Sequence, residues 1–204
     1  MALTFYTNPM SRGRIARWML EEVGTAYDTV ILDYASSMKQ QEYLAVNPMG
    51  KVPAIVHDGR VVTEGAAICA YLADSFPGAG LAPTATERAD YYRWMFFAAG
   101  PVEAAITNRS LGVTPSPEQQ RMVGYGSYDT MVDAFAGAVA ANSFIAGDRF
   151  TAADVYAGSQ VIWGVQFGSL PKLPVFEDYV ARVTTRDAYK RAAAIDDALM
   201  EPRG

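Results

Sequence analysis

A chain of 204 residues, half of them hydrophobic, can bury one large core or two small ones, so an extended disordered scaffold is excluded. A formal charge of −5 and a sequence pI near 4.9 give no basic field for a phosphate backbone, which argues against a nucleic-acid partner. One cysteine, Cys69, permits neither an internal disulfide nor a cysteine-cluster metal site, and one histidine, His57, removes most zinc chemistry, so no metal is expected.

The chain runs from Met1 straight into Leu3-Thr4-Phe5-Tyr6 with no basic leader, and no apolar run approaches membrane length. A soluble, reduced, cytoplasmic protein with no membrane partner is the expectation. Ala2 to Thr7 reads as a buried strand that Asn8-Pro9 ends. Ser11 precedes Ile15, Trp18, Met19 and Val23, a helical spacing that Gly24 closes. Tyr27 to Leu32 reads as a second strand, and Ser36 to Ala45 as a polar helical crossover.

The next stretch, Asn47-Pro48-Met49-Gly50-Lys51-Val52-Pro53, carries two prolines and a glycine, so it is neither helix nor mid-sheet strand. The residue before a proline is pushed to an extended conformation. Val52 therefore offers its N–H and C=O to something other than its own chain, a peptide being one such partner, and Val52-Pro53 is a candidate cis bond. An ordinary strand-entry loop is the alternative. Ala54-Ile55-Val56 and Val61-Val62-Thr63 flank an Asp58-Gly59 turn, which is a hairpin signal that places His57 at an exposed turn. Glu64 opens a helix with Ile68, Tyr71, Leu72 and Phe76 spaced for burial, Cys69 on or near the packed stripe, and Pro77-Gly78 as its stop. Residues 1–78 thus give β-α-β-α-β-β-α, a thioredoxin-like α/β layout.

Residues 79–86 read as a linker, and 87–204 as an all-helical (all-α) domain. Thr84 and Glu87 form one capping-box pattern ahead of an aromatic helix with Tyr91, Tyr92, Trp94, Met95, Phe96 and Phe97. Ser116-Pro117-Glu118-Gln119 predicts the start of a long helix through Tyr128, Val132 and Phe135. Phe150-Thr151-Ala152-Ala153-Asp154 combines a hydrophobic staple with a third box. Helices over 174–182 and 187–200 finish the chain.

This order, with Asn47 to Pro53, Glu64-Gly65-Ala66-Ala67-Ile68 with Tyr71-Leu72, and the Phe150 to Asp154 box, resembles the cytosolic glutathione S-transferases, in a bacterial form whose serine/cysteine-type position is Ser11. The resemblance implies glutathione as co-substrate. It implies that Val52, ahead of Pro53, pairs with the cysteinyl backbone. Glu64 then faces the γ-glutamyl ammonium and the Gly65 N–H its carboxylate, while Lys39 and Lys51 are candidates for the glycyl carboxylate. The family usually has Ser or Thr where Gly65 stands, and the missing hydroxyl is worth roughly 1 kcal/mol of binding if nothing replaces it.

An unperturbed thiol titrates near pH ~8.5, and the thiolate is the nucleophile. Ser11 at a helix mouth would donate a hydrogen bond to it, with Tyr6 and Asn8 as the other candidates and Arg12 and Arg14 adding positive charge. A plain N-cap serine is the structural alternative. An electrophile pocket is expected between the domains, with Met10, Tyr91, Trp94 and Met95, and also Trp163 or Phe167, as lining. Pro9-Met10-Ser11-Arg12 lacks the Cys-x-x-Cys of a thioredoxin and the Ser-Ser-Cys of the maleylacetoacetate isomerase branch. The function so implied is transfer of glutathione, as a detoxifying transferase, to a small hydrophobic electrophile, by a homodimer. A glutathione-dependent disulfide reductase or peroxidase, and a non-catalytic glutathione-binding module, stand as alternatives.

Overall fold

The computed structural model describes residues 2–200. The chain forms two compact units, one made of residues up to Ala82 together with those from Thr185 onward, the other of Pro83–Thr184.

In the first unit β1 (Leu3–Thr7) runs parallel to β2 (Asp28–Ile31) and antiparallel to β3 (Ala54–His57), and β3 pairs antiparallel with β4 (Arg60–Thr63). The sheet order is β2-β1-β3-β4. The two-residue period of a strand sends Leu3, Phe5 and Thr7 to a buried face and Thr4 and Tyr6 to the other. Helix α1 (Gly13–Val23) ends at Gly24, whose left-handed φ of 66° lets its N–H cap the Leu20 carbonyl. The crossover is shorter than the sequence suggests, a 3-10 turn Ser37–Lys39 followed by α2 (Gln41–Leu44). Asp58 and Gly59 both take positive φ, as a two-residue hairpin with right-handed strand twist requires. Helix α3 (Gly65–Ser75) follows and buries Ile68, Cys69 and Leu72.

His57 is a correction. It is 5% exposed, because as the last residue of β3 it shares a face with Ile55. Its Nδ1 lies 2.9 Å from the Tyr71 hydroxyl, and its ring stacks on Phe76 at 5.5 Å.

The second unit is helical. Helix α4 (Arg88–Phe97) passes through a π-helical turn, Ala98–Val102, into α5 (Glu103–Ser110); the turn holds Pro101, which has no N–H to give the ladder. Then come α6 (Tyr128–Ala141), α7 (Ala152–Phe167) and α8 (Pro174–Val183). The predicted long helix from Ser116 does not form. The reciprocal bonds of Ser116 and Gln119 are made, at 2.8 and 3.3 Å, but they cap only a 3-10 turn, Gln119–Arg121. Gly124 and Gly126, the latter at φ 65°, interrupt the chain, and α6 restarts at Ser127, whose Oγ accepts the Thr130 N–H. The box at Thr151 and Asp154 does form, and α7 is buried along most of its length.

The last helix, α9 (Asp187–Ala198), packs on α1 and so belongs with the first unit, which revises the expectation of one helical domain over 87–204. The contacts that draw it there are polar as well as apolar. Arg17 and Asp196, both buried, pair at 2.8 Å, Trp18 meets Tyr189 edge-on at 5.0 Å, and Arg186 forks onto both oxygens of Glu22.

Candidate functional site

Strand register decides which loops meet. Tyr6 lies opposite Ala54, and Ala54 opposite Thr63. The exit of β1, the entry to β3 and the exit of β4 therefore share one end of the sheet. Those three ends carry Asn8 to Ser11, Val52-Pro53, and Glu64-Gly65.

At the first of them, Asn8 is committed to structure. Its Nδ2 donates to the Leu32 carbonyl at 2.8 Å, and its Oδ1 accepts the Met10 N–H at 2.9 Å. Ser11 is half-buried two residues ahead of α1, where its hydroxyl donates to the Asn8 carbonyl at 2.6 Å and accepts the Gly13 N–H at 2.9 Å. Gly13 is needed there, since a Cβ would collide with the buried Thr7 hydroxyl. Tyr6 points to the opposite sheet face from Thr7, with its ring 5.4 Å from Tyr43.

The second end has the cis peptide that the proline pair suggested, at Val52-Pro53. Among the described residues neither the N–H nor the C=O of Val52 has a hydrogen-bond partner. The loop that presents it is braced one residue earlier, where the Lys51 carbonyl accepts from the Tyr43 hydroxyl at 2.6 Å and from Asn47 Nδ2 at 2.8 Å. The Lys39 ammonium donates to the Gly50 carbonyl at 2.8 Å, while the Lys51 side chain is exposed. Gly50 holds φ 57°, and a Cβ there would meet the Met38 carbonyl at 2.7 Å, so no other residue fits without strain. The bracing roles of Tyr43 and Asn47 have no sequence signal of their own beyond the Asn47-Pro48 pair, which closes an Asx turn onto the Met49 N–H at 3.0 Å.

At the third end Glu64 has φ 65° and ψ 118°, a left-handed conformation that a non-glycine residue adopts at a cost of about 1–3 kcal/mol. The twist brings Gly65 onto the first turn of α3 with no side chain capping its N–H groups. These donors and the helix dipole form a place for a carboxylate, with the Glu64 carboxylate exposed beside it for a cation.

The pocket candidates divide. Met10 is exposed, whereas Tyr91, Trp94 and Met95 face the interior; the open aromatic face of α4 is instead Tyr92 and Phe96, whose rings stack at 6.5 Å. Trp163 is half-buried and Phe167 exposed near the end of α7. Cys69 is fully buried, and burial pushes its thiol far above the ordinary range, as befits a small core residue.

At one end of a thioredoxin-like sheet, an unpaired backbone ahead of a cis-proline thus lies beside an uncapped helix N-terminus. The family model for the glutathione S-transferase N-terminal domain matches residues 1–74. The chain is 30% identical over 149 residues to glutathione S-transferase GstA of Escherichia coli O157:H7, spanning 71% of this chain and 73% of that one. It is 31% identical over 199 residues to maleylacetoacetate isomerase of Rhizobium meliloti (strain 1021), spanning 89% of each. The theta class glutathione S-transferase of Xanthomonas axonopodis pv. citri, solved with glutathione bound, superposes with a TM-score of 0.74 at 27% identity, over 94% of this chain and 97% of that one. The chain belongs to the glutathione S-transferase family.

Proposed function

We propose that the protein is a glutathione transferase in which Ser11 stabilises the thiolate of bound glutathione for attack on a small apolar electrophile. The observation that carries this is the convergence set by the Tyr6, Ala54 and Thr63 register, which gathers a hydroxyl, an unpaired backbone ahead of a cis-proline and an uncapped helix start at one sheet end. Val52 then pairs with the cysteinyl backbone, the Gly65 N–H takes the γ-glutamyl carboxylate, Glu64 takes its ammonium, and Lys39 or Lys51 takes the glycyl carboxylate. Ser11 is preferred over Asn8, whose side chain is anchored to the Leu32 carbonyl and the Met10 N–H, and over Tyr6, whose ring packs on Tyr43 in an apolar cluster.

The Ser11 hydroxyl now rests on the Asn8 carbonyl, so on binding it turns toward sulfur, while its oxygen goes on accepting the Gly13 N–H. A hydroxyl and a helix N-terminus both favour the anion, so the thiol proton passes to solvent. The thiolate then displaces a leaving group from an electrophilic carbon, and the active protein is a homodimer. A two-unit fall in thiol pKa corresponds to about 2.7 kcal/mol of preferential thiolate stabilisation.

The test is thiolate absorbance of bound glutathione across pH, together with turnover of a halonitroarene. Ser11→Ala is expected to raise the bound thiol pKa and cut kcat by about 10- to 100-fold with glutathione affinity nearly unchanged. Unaltered turnover would move the role to Tyr6.

A further inference from the structure

We infer that the last helix, α9, sets the thiol-activating loop through Arg14, which acts as a positioning residue. This rests on the assignment of Ser11 to the thiol. The Pro9–Met10 peptide, immediately before Ser11, is held at both polar ends. Its carbonyl accepts Arg14 Nε at 2.7 Å and its N–H donates to Asn8 Oδ1 at 2.9 Å. The guanidinium that grips the carbonyl is itself gripped from α9, where its Nη2 lies 2.6 Å from Asp197 Oδ1 and 3.6 Å from Met200 Sδ.

The fork of an arginine is what makes this link work. Its Nε reaches a backbone oxygen on the loop while its Nη2 engages a carboxylate, in a plane that lysine does not offer. Tension in the contact is therefore passed from Asp197 through Arg14 to the turn that aims Ser11.

An arginine at the head of α1 could instead serve as a bare positive charge beside the sulfur, and the two roles predict opposite signs. With Asp197 at 2.6 Å, the charge of Arg14 is already met. If Arg14 acted by its field, removing the Asp197 charge would unmask it and lower the bound thiol pKa. If it acts by position, the same change loosens the loop and raises it.

The experiment compares the wild-type protein with Asp197→Asn, a change at a largely exposed side chain, and with Arg14→Lys. In Asp197→Asn the pKa of bound glutathione is expected to rise by about half a unit or more and kcat to fall about 3- to 10-fold, with glutathione affinity within about twofold. Arg14→Lys keeps the charge without the fork and is expected not to restore the wild-type pKa. In the ligand-free protein, exchange of the Met10 and Ser11 amides, both hydrogen-bonded to Asn8, is expected to quicken about tenfold in Asp197→Asn. A bound-thiol pKa that stays put or falls, a lysine variant equal to wild type, or unchanged exchange overturns the clamp. A wild-type protein that leaves the thiol at its ordinary pKa would sink the role of Ser11 instead, and the exchange rates would then decide the clamp alone.

Discussion

Two aspartates, one in each unit, are both shut off from solvent and are held in different ways. Asp154 at the start of α7 has every oxygen engaged: Oδ1 accepts the Ile145 N–H at 2.7 Å and the Tyr179 hydroxyl at 2.7 Å, and Oδ2 accepts the Thr151 N–H at 2.9 Å and its hydroxyl at 3.2 Å. Asp196 on α9 offers Oδ1 to Arg17 Nε at 2.8 Å, while its Oδ2 and the Arg17 Nη2 are both buried without a hydrogen bond. Burial pushes both carboxyls above the usual carboxylate range, against the pull of their donors. The lesson is that depth alone does not rank a buried charge. The first is built into the backbone of its own helix start; the second is an ion pair between two helices, incompletely satisfied.

The contrast can be broken most forcefully at Asp154. Asp154→Ala would leave two backbone N–H groups and a tyrosine hydroxyl unpaired in the interior, and we expect a loss of about 4 kcal/mol by urea denaturation. No apolar exchange can recover it, because two of the partners are main chain. Arg17→Ala strands the Asp196 charge and is expected to cost about 3 kcal/mol, yet Arg17→Met with Asp196→Leu should return to within about 1 kcal/mol of wild type. A double variant no better than the single one would show the ion pair to be as structural as the cap.

The smallest effect concerns the more open pair of Glu87 and Arg149, 2.6 Å apart. The Arg149 hydrogen bond lowers the Glu87 carboxyl from its ordinary 4.5 to about 2. Since the folded pKa is depressed, the contribution is complete above about pH 4.5 and vanishes as pH falls through about 2. Urea midpoints measured from neutral pH downward should therefore fall less steeply with acid in Glu87→Gln than in wild type.

What could be read from residues alone was what depends on near neighbours. The Asp58-Gly59 hairpin, the Val52-Pro53 edge, the Gly24 stop and the Thr151-Asp154 box each rest on contacts a few positions apart, and each formed. The Ser116 box also formed, but two glycines just beyond it kept the helix from propagating. His57 reads as a turn residue from the hairpin signal, yet it closes β3, and the two-residue period of the strand carries it to the buried face. Arg17 and Asp196 could not be matched, since no local pattern joins residues 179 positions apart. At the site, Ser11, Val52 and Gly65 were visible as types and spacings, whereas the strained φ of Glu64 and the grip of Arg14 on Pro9 exist only once the chain has folded.

The return of α9 to the first unit also bears on how the protein is made. On a ribosome the chain emerges from its N-terminus, so the sheet and α1 can assemble while the face of α1 that carries Arg17 and Trp18 still lacks its cover. That cover, residues 187–198, arrives only after the whole of the other unit has been synthesised. The half of the molecule that begins first is thus completed last. A nascent chain arrested short of Asp187 should display an unburied tryptophan face to chaperones, even with every residue of its sheet in hand.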